Sequence, residues 1–291
     1  MKFSDFAMYQ VKRSKKGMLA EFNAEAYREK MFQNQSRLEF NQMLESRKIK
    51  YHFQPIFHAV TGEPYAYEAL MRADYPTLRS PETVLRLARE EGRMHEMEYL
   101  TLFCSGECYT ELLERGEVSE QAYLFVNSIA NERMTEEEER EYHVRFARIQ
   151  PQVVIEITEA EQLDMKLVEG KKNVEGCSGM FALDDYGSGY NSEINLLELK
   201  PHFVKVDITI VRDIDKDANK QQVVSNIVEY AHKRGMMVIM EGLETAAEVG
   251  KSLELGADLL QGYFLARPGE VPPAINEEAA RLIRAYWEER K

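Results

Sequence analysis

MFALDDYGSGYNSEINLLELKPHFVKVD, residues 180–207, holds two short β-rich runs around a helical stretch. Met180–Asp184 and Phe203–Asp207 are strand-length apolar runs that each stop on a carboxylate, and Glu193–Leu199 between them has a helical pattern. Strand, glycine-bearing loop, helix and strand in that order make one βαβ unit. Such units bury their strands under helices, so the neighbouring sequence should repeat the alternation.

It does so in both directions. Further β-rich runs are Tyr51–Phe57, Tyr65–Met71, Tyr123–Asn127, Val153–Ile157, Met237–Met240 and Leu259–Phe264. Helical segments fall near Pro81–Glu91, Met94–Arg115, Glu136–Arg148, Leu163–Lys171, Lys220–Arg234, Ala246–Leu255 and Ile275–Glu289. About eight strands with intervening helices predict an α/β fold of the closed (β/α)8, TIM-like kind, with an open doubly wound sheet as the alternative. The first two runs are separated by little more than Val60-Thr61-Gly62-Glu63-Pro64. That is too short for a crossover helix, so the first strand is expected to be antiparallel and the barrel irregular at its start.

Residues before about Lys50 differ from the rest. They are charged, long in side chain and helical in pattern, with a short amphipathic segment from Phe6 to Lys16 that Gly17 could end. A second helix is expected from about Ala24 to Arg47, with Phe32, Leu38, Phe40, Met43 and Leu44 as its apolar members. Neither helix can bury a core alone.

The 291 residues, 44% apolar and 10% aromatic, suffice for one large core and exclude a disordered chain. There is no charged-then-apolar N-terminus and no apolar run of roughly 18 residues or more, so a soluble intracellular protein without a membrane segment is expected. Cys104, Cys108 and Cys177 lack metal-type spacing and read as buried thiols. A net charge of −13 argues against a nucleic-acid polymer as partner. Were the substrate a phosphate ester, so acidic a protein would need cations in its site.

Nearly every strand has a polar residue where its apolar run stops: Glu68, Asn127, Glu156, Asp184 with Asp185, Asp207, Glu241 and Gln261. In a β/α barrel these positions converge at the C-terminal face, where such enzymes have their sites. Oxygen donors without a His or Cys cluster suit Mg²⁺ or Mn²⁺, and two such ions suit in-line phosphodiester cleavage. Alternation puts Glu68, Leu70 and Arg72 on one face and Lys205 with Asp207 on another. Asp184 and Asp185 point oppositely on a regular strand, so both reach one site only if the chain turns. Tyr186-Gly187-Ser188-Gly189-Tyr190 is the expected turn. Glu159 is placed beyond its strand end, as a loop-anchoring acid.

Gln54-Pro55-Ile56, Glu68-Ala69-Leu70-Met71-Arg72, Val126-Asn127-Ser128 and Glu156-Ile157-Thr158-Glu159 form an ordered set with the Asp184–Tyr190 stretch. Lys205-Val206-Asp207, Glu241-Gly242-Leu243-Glu244 and Gln261-Gly262-Tyr263 complete it. In this order the chain, over about residues 48–270, resembles the EAL-domain cyclic di-GMP phosphodiesterases. The resemblance implies hydrolysis of cyclic di-GMP to linear pGpG with two divalent cations, Mg²⁺ or Mn²⁺, and inhibition by Ca²⁺. It assigns the metals to Glu68, Asn127, Glu156, Asp184, Asp185 and Glu241, with Asp184 a candidate bridge. Lys205 would contact the attacking water or a metal-bound oxygen, so that Lys205, Glu68, Asp184, Asp185 and Glu241 form the catalytic set. Asp207 would orient Lys205 or a ligand, with Glu159, Gly187 and Gly189 behind the site. Gln54, Pro55, Met71, Arg72, Gly242 and Tyr263 would position the dinucleotide, and Glu244 and Gln261 would support the metal or substrate side. A cytoplasmic homodimer formed through the barrel is also implied.

Phe6-Ala7-Met8-Tyr9 with Lys12 and Gly17 is similar to the last helix of a GGDEF, or diguanylate cyclase, domain. The expected organisation is a GGDEF remnant at 1–19, a linker helix at 20–48 and the phosphodiesterase barrel at 49–291. The parent chain would then carry GGDEF or sensory domains and could be anchored at the cytoplasmic side of a membrane. Tyr186 and Ser188 replace the family's usual Phe and Thr, Asn191 and Glu193 its Ser and Leu, and Ala73 a common aromatic residue. The stretch after Asp185 is tied in the family to dimerisation and activation. A cyclic di-GMP receptor without catalysis is the alternative function; such relatives lack a metal ligand or the lysine, and both are present here.

Overall fold

The structure is a computed structural model that describes residues 23–158, 164–172, 178–189 and 192–290. The amphipathic segment expected at 6–16, Glu159 and Cys177 lie outside the described residues. The chain divides into two compact units, residues 1–48 with 73–92 and residues 49–72 with 93–291.

In the smaller unit α1 (Ala24–Ser46) begins at Asn23, whose side chain accepts from the backbone N–H groups of Glu25 and Ala26. Phe40, Met43 and Leu44 are its buried apolar residues, while Phe32 and Leu38 are exposed. Buried Glu39 accepts from Thr77 N (2.9 Å) and Thr77 Oγ1 (2.7 Å), tying the segment before α2 (Pro81–Glu91) to α1. Arg37 reaches Glu90 and Glu91 on α2 at 3.5 and 3.1 Å. These exposed pairs add little stability, so the unit depends on its buried apolar residues.

In the larger unit eight strands close a barrel in sequence order. They are β1 (Ile49–His58), β2 (Pro64–Ala73), β3 (Tyr123–Asn127), β4 (Val153–Thr158), β5 (Met180–Tyr186), β6 (Phe203–Val206), β7 (Met237–Met240) and β8 (Leu259–Leu260). From β2 to β8 every neighbouring pair is parallel. β1 is antiparallel to β8, with Phe57 opposite Leu260 and His58 opposite Leu259, so it also runs against β2 as expected. Around it stand α3 (Met94–Glu114), α4 (Glu136–Phe146), α5 (Met165–Lys172), α6 (Ser192–Leu199), α7 (Ile208–Val211), α8 (Ala218–His232), α9 (Ala246–Glu254) and α10 (Glu277–Glu288).

The barrel interior sets the level of the site. Ile56, Ala66, Phe125, Val154, Ala182, Phe203, Ile239 and Leu259, one from each strand, form a single buried apolar layer. Alternate residues share a face, so two residues further along each parallel strand the same interior meets Glu68, Asn127, Glu156, Asp184, Lys205, Glu241 and Gln261. The reversed β1 reaches that level two residues before Ile56, at Gln54. The polar layer therefore sits directly on an apolar floor that excludes water from below. On the outer faces Leu183, Val204, Val238 and Met240 pack with Val224 and Ile227 of α8 and Val249 of α9.

β8 differs from expectation. It stops at Leu260 instead of reaching Phe264, because the chain turns at Gly262, where Leu265 N bonds back to Gly262 O at 3.1 Å. A Cβ on Gly262 would lie 2.2 Å from both N and O of Leu243, so only glycine allows this approach. The β-branched run after Asp207, to which the sequence pattern assigns no element, forms the short helix α7. Asp207 caps it, accepting from Thr209 N at 2.8 Å and Thr209 Oγ1 at 2.5 Å. Cys104 is buried, whereas Cys108 is half-buried. Among the described residues no helix is long and apolar enough to cross a membrane.

Candidate active site

The polar layer gathers around Lys205, whose side chain is 1% exposed. Its Nζ lies 2.5 Å from Glu156 Oε1, 2.7 Å from Glu241 Oε1, 2.9 Å from Asp184 Oδ1 and 3.2 Å from Glu68 Oε2. An ammonium has three protons, too few for four carboxylates. The shortage leaves at least one carboxylate unserved, and Glu156 Oε1 and Asp184 Oδ1 lie close to Nζ but off the direction of a hydrogen bond.

Burial alone would depress the Lys205 ammonium, but Asp184, Glu156, Glu241 and Glu68 together hold it well above its ordinary value. Burial raises Glu156 well above the usual carboxylate range, with the charge of Glu68 adding to it and Lys205 opposing. Glu241 is likewise raised by burial, against the pull of Lys205. Asp185 is pushed up to about 6, by burial first and by Asp184 second. Such shifts arise where like charges are crowded into a desolvated space.

Neutral amides hold two members of the ring in place. Asn127 Nδ2 donates to Glu156 Oε2 at 3.2 Å, and Gln261 Nε2 donates to Glu68 Oε2 at 2.7 Å. Gln261 Oε1 is buried without a hydrogen-bond partner.

Asp184 and Asp185 reach one site by a different route from the one expected. The β5–β6 register passes from Leu183 opposite Val204 to Tyr186 opposite Val206, so β5 carries one extra residue there. Asp185 takes up the bulge with φ of 56°, a left-handed conformation that Asp tolerates better than most residues. The turn is thus inside the strand and ahead of the glycines. Gly187 follows with φ of 98°, where a Cβ would lie 2.1 Å from Ile210 Cδ1, so it brings the chain down onto α7. Gly189 is exposed.

A cleft of about 440 Å³ opens above the ring, a volume within the range of small-molecule sites. Its lining includes Gln54, Glu68, Asp185, Asp207, Glu241, Gly242, Glu244, Gln261 and Tyr263, all singled out from the sequence. Gln54 Nε2 donates to Ala266 O at 3.3 Å. Tyr263 is 48% exposed, with the Arg267 guanidinium 4.4 Å from its ring centroid. Glu244 is gripped by Arg212 through both oxygens, at 2.7 and 2.8 Å. The Asp207 carboxylate caps α7 and is not among the ion-pair partners of Lys205. Pro55 is buried in β1, and Met71 is half-buried. Arg72 is half-buried, donates to Met71 O at 2.9 Å and is not part of the cleft lining. Ile208 lines the cleft and was not anticipated. Its signal was slight: an apolar residue directly after a strand-end aspartate.

The donor set fits hard divalent cations. Carboxylate oxygens of Asp184, Asp185 and Glu241 lie within 4.8 Å of one another. Five carboxylates against one ammonium leave four formal negative charges, which two divalent cations would cancel. The oxygens that Lys205 leaves poorly satisfied, Glu156 Oε1 and Asp184 Oδ1, are suitable additional ligands. Oxygen-only coordination favours Mg²⁺ or Mn²⁺ over zinc.

Known proteins resemble this chain in sequence and fold. The cyclic di-GMP phosphodiesterase NbdA of Pseudomonas aeruginosa is 28% identical over 258 residues, covering 85% of this chain and 32% of that protein. The chain spans about a third of the length of the curated relatives it matches. A standalone EAL protein from Vibrio cholerae O395, solved in its c-di-GMP-bound form, has a TM-score of 0.66 at 26% identity, covering 80% of this chain and 98% of that one. Klebsiella pneumoniae BlrP1, solved as a manganese/cy-diGMP complex, has a TM-score of 0.63 at 26% identity, covering 76% and 56%. The EAL domain profile matches residues 37–268, most of the sequence. The protein belongs to the EAL domain family.

Proposed function

We propose that the protein hydrolyses cyclic di-GMP to linear pGpG, with two divalent cations, Mg²⁺ or Mn²⁺, held by Glu68, Asn127, Glu156, Asp184, Asp185 and Glu241. The observation that carries this reading is the ring of four carboxylates around the buried Lys205 Nζ, with the raised Asp185 beside it. A protein of net charge −13 that accumulates carboxylates at the floor of a ligand-sized cleft repels a phosphodiester unless cations intervene. Bound there, cations supply charge neutralisation at the phosphate and a lowered pKa for water. The activity named for NbdA and the ligand of the Vibrio cholerae structure support cyclic di-GMP as the substrate.

The chain's own groups position the reactants. Lys205, kept cationic by its four neighbours, would have N–H groups to offer an attacking water or a phosphate oxygen once cations take over its carboxylate partners. Gln261 and Asn127 hold Glu68 and Glu156 in orientation through their amides. Gln54, Gly242 and Tyr263 form walls against which the dinucleotide lies, and Tyr263 has an exposed ring face for a guanine base. Arg72 gives one N–H to Met71 O and has others to offer a phosphate after side-chain rotation. Glu244, gripped by Arg212, shapes the far wall rather than holding an ion.

Wild type and Glu68→Ala, each incubated with cyclic di-GMP in Mn²⁺, test the proposal. Wild type is expected to form linear product until a chelator is added. Glu68→Ala is expected to form none while keeping its circular dichroism spectrum and cooperative melt. Activity surviving in Glu68→Ala would refute the metal assignment. Replacing the cation with Ca²⁺ should suppress turnover and retain nucleotide binding, because Ca²⁺ is larger and coordinates loosely. A homodimer formed through the barrel, and a cytoplasmic place for it, go with this function and are checked by sedimentation equilibrium and cell fractionation.

A further inference from the structure

A second buried ion pair lies in the barrel wall, away from the carboxylate ring. Glu98 on α3 and Lys171 on α5, with side chains 2% and 8% exposed, meet at 2.7 Å. Lys171 Nζ also donates to Ser128 Oγ at 2.5 Å and Ile129 O at 2.8 Å, so each of its three N–H groups has an acceptor. Glu98 accepts from Ser128 Oγ through Oε1 at 2.6 Å and from Ile129 N through Oε2 at 2.7 Å. Two helices that are far apart in sequence thus direct their buried charges onto the same two residues.

Those two residues immediately follow Asn127. Ser128 N donates to Glu156 O at 3.0 Å, and Asn127 Nδ2 donates to Glu156 Oε2 at 3.2 Å. The pair therefore clamps the exit of β3 where it adjoins the carboxylate nearest Lys205. A buried ion pair contributes little net stability compared with an apolar replacement. A planar acceptor and a cation with every donor used instead fix position and direction, which apolar packing does not.

We propose that Glu98 and Lys171 are positioning residues: by clamping Ser128 and Ile129 they aim Asn127 at Glu156 and so set the site's affinity for divalent cations. This rests on the reading of Asn127 and Glu156 as metal-holding residues. Neither Glu98 nor Lys171 touches the ring or the cleft. Their effect passes through Asn127, as partners behind a metal ligand act through that ligand.

The test is calorimetric titration of the whole chain with Mn²⁺, without nucleotide, for wild type, Lys171→Met, Asn127→Ala and the double variant. Lys171→Met is expected to weaken Mn²⁺ binding by about tenfold or more, as loss of such supporting partners does. The double variant is expected to bind no more weakly than Asn127→Ala alone, because the two changes act in series. Ser128→Ala, which removes only the hydroxyl shared by both partners, should weaken Mn²⁺ severalfold in a fully folded protein and keeps the test available if Lys171→Met does not fold. Glu98→Gln, which retains an acceptor for Ile129 N, should keep more affinity than Glu98→Ala. Failure of wild type to bind Mn²⁺ would overturn the metal reading itself. Mn²⁺ binding by wild type that is matched by Ser128→Ala and Lys171→Met, or penalties that multiply in the double variant, would overturn the positioning role alone.

Discussion

Replacing Lys205 by Met removes the ammonium from the carboxylate ring while keeping most of the volume of its stem. Removing one partner of a buried ion pair costs about 3–5 kcal/mol, because the other is left buried and uncompensated. Lys205 has four carboxylate partners within 3.2 Å, so the upper end of that range applies wherever they are ionised. Protonation offsets the loss. Burial already raises Glu156, Glu241 and Asp185, and removing the cation raises them further. An acid whose folded pKa is raised stabilises the fold below its unfolded pKa and loses that contribution as pH climbs through the folded value. The deficit of Lys205→Met relative to wild type should therefore be small near pH 5 and approach about 5 kcal/mol at pH 8 in chelator. Mn²⁺ should recover part of it by replacing the lost positive charge. Urea denaturation of both proteins across that pH range measures the deficit, provided the slopes stay equal. Turnover should fall by about 10²–10³, the usual worth of a preorganised hydrogen-bond donor at the reacting centre. Equal midpoints at pH 8, or a deficit that grows towards acid, would refute the electrostatic account.

Metal binding near pH 6 should release protons, because Asp185 is pushed up to about 6 and burial raises Glu156 and Glu241. Calorimetric enthalpies should then depend on the buffer, and Mn²⁺ affinity should fall about tenfold per pH unit below 6 for each proton displaced; a flat profile contradicts this. Gly262→Ala forces a Cβ to 2.2 Å from the Leu243 backbone and should cost about 1–3 kcal/mol by overpacking, with weaker Mn²⁺ binding as Gln261 shifts off Glu68. An unchanged urea midpoint would show that the loop yields freely. Thr135→Ala breaks the reciprocal cap with Glu138 at the start of α4, which should cost about 1 kcal/mol in thermal or urea unfolding and leave turnover as in wild type.

The sequence is most legible where local pattern and tertiary demand agree. Tyr123–Asn127 reads as β3 to the residue, since five consecutive positions suit a strand between turn-forming neighbours. The level of the site was also legible, because the period of two that fixes the apolar layer at Phe125 and Phe203 also fixes Asn127 and Lys205 above it. Leu259–Phe264 reads as a longer strand than it is, because the stop depends on the Leu243 backbone pressing against Gly262, a contact between distant segments. Ile208-Thr209-Ile210-Val211 has strand propensity, and only the Asp207 cap reveals the helix. Alternation exposed the difficulty at Asp184 and Asp185, but its solution, a left-handed aspartate, leaves no mark in residue type as a glycine would. Glu98 and Lys171 stand 73 residues apart and were invisible until the fold brought them together.

Catalysis at the Lys205 ring is tested most directly by product formation. Wild-type protein should be mixed in excess with cyclic di-GMP and Mn²⁺ and the products separated over time. Complete conversion to linear pGpG, halted by chelator, is the predicted result. Stable, stoichiometric binding of intact cyclic di-GMP with no linear product would contradict it and leave the chain a receptor.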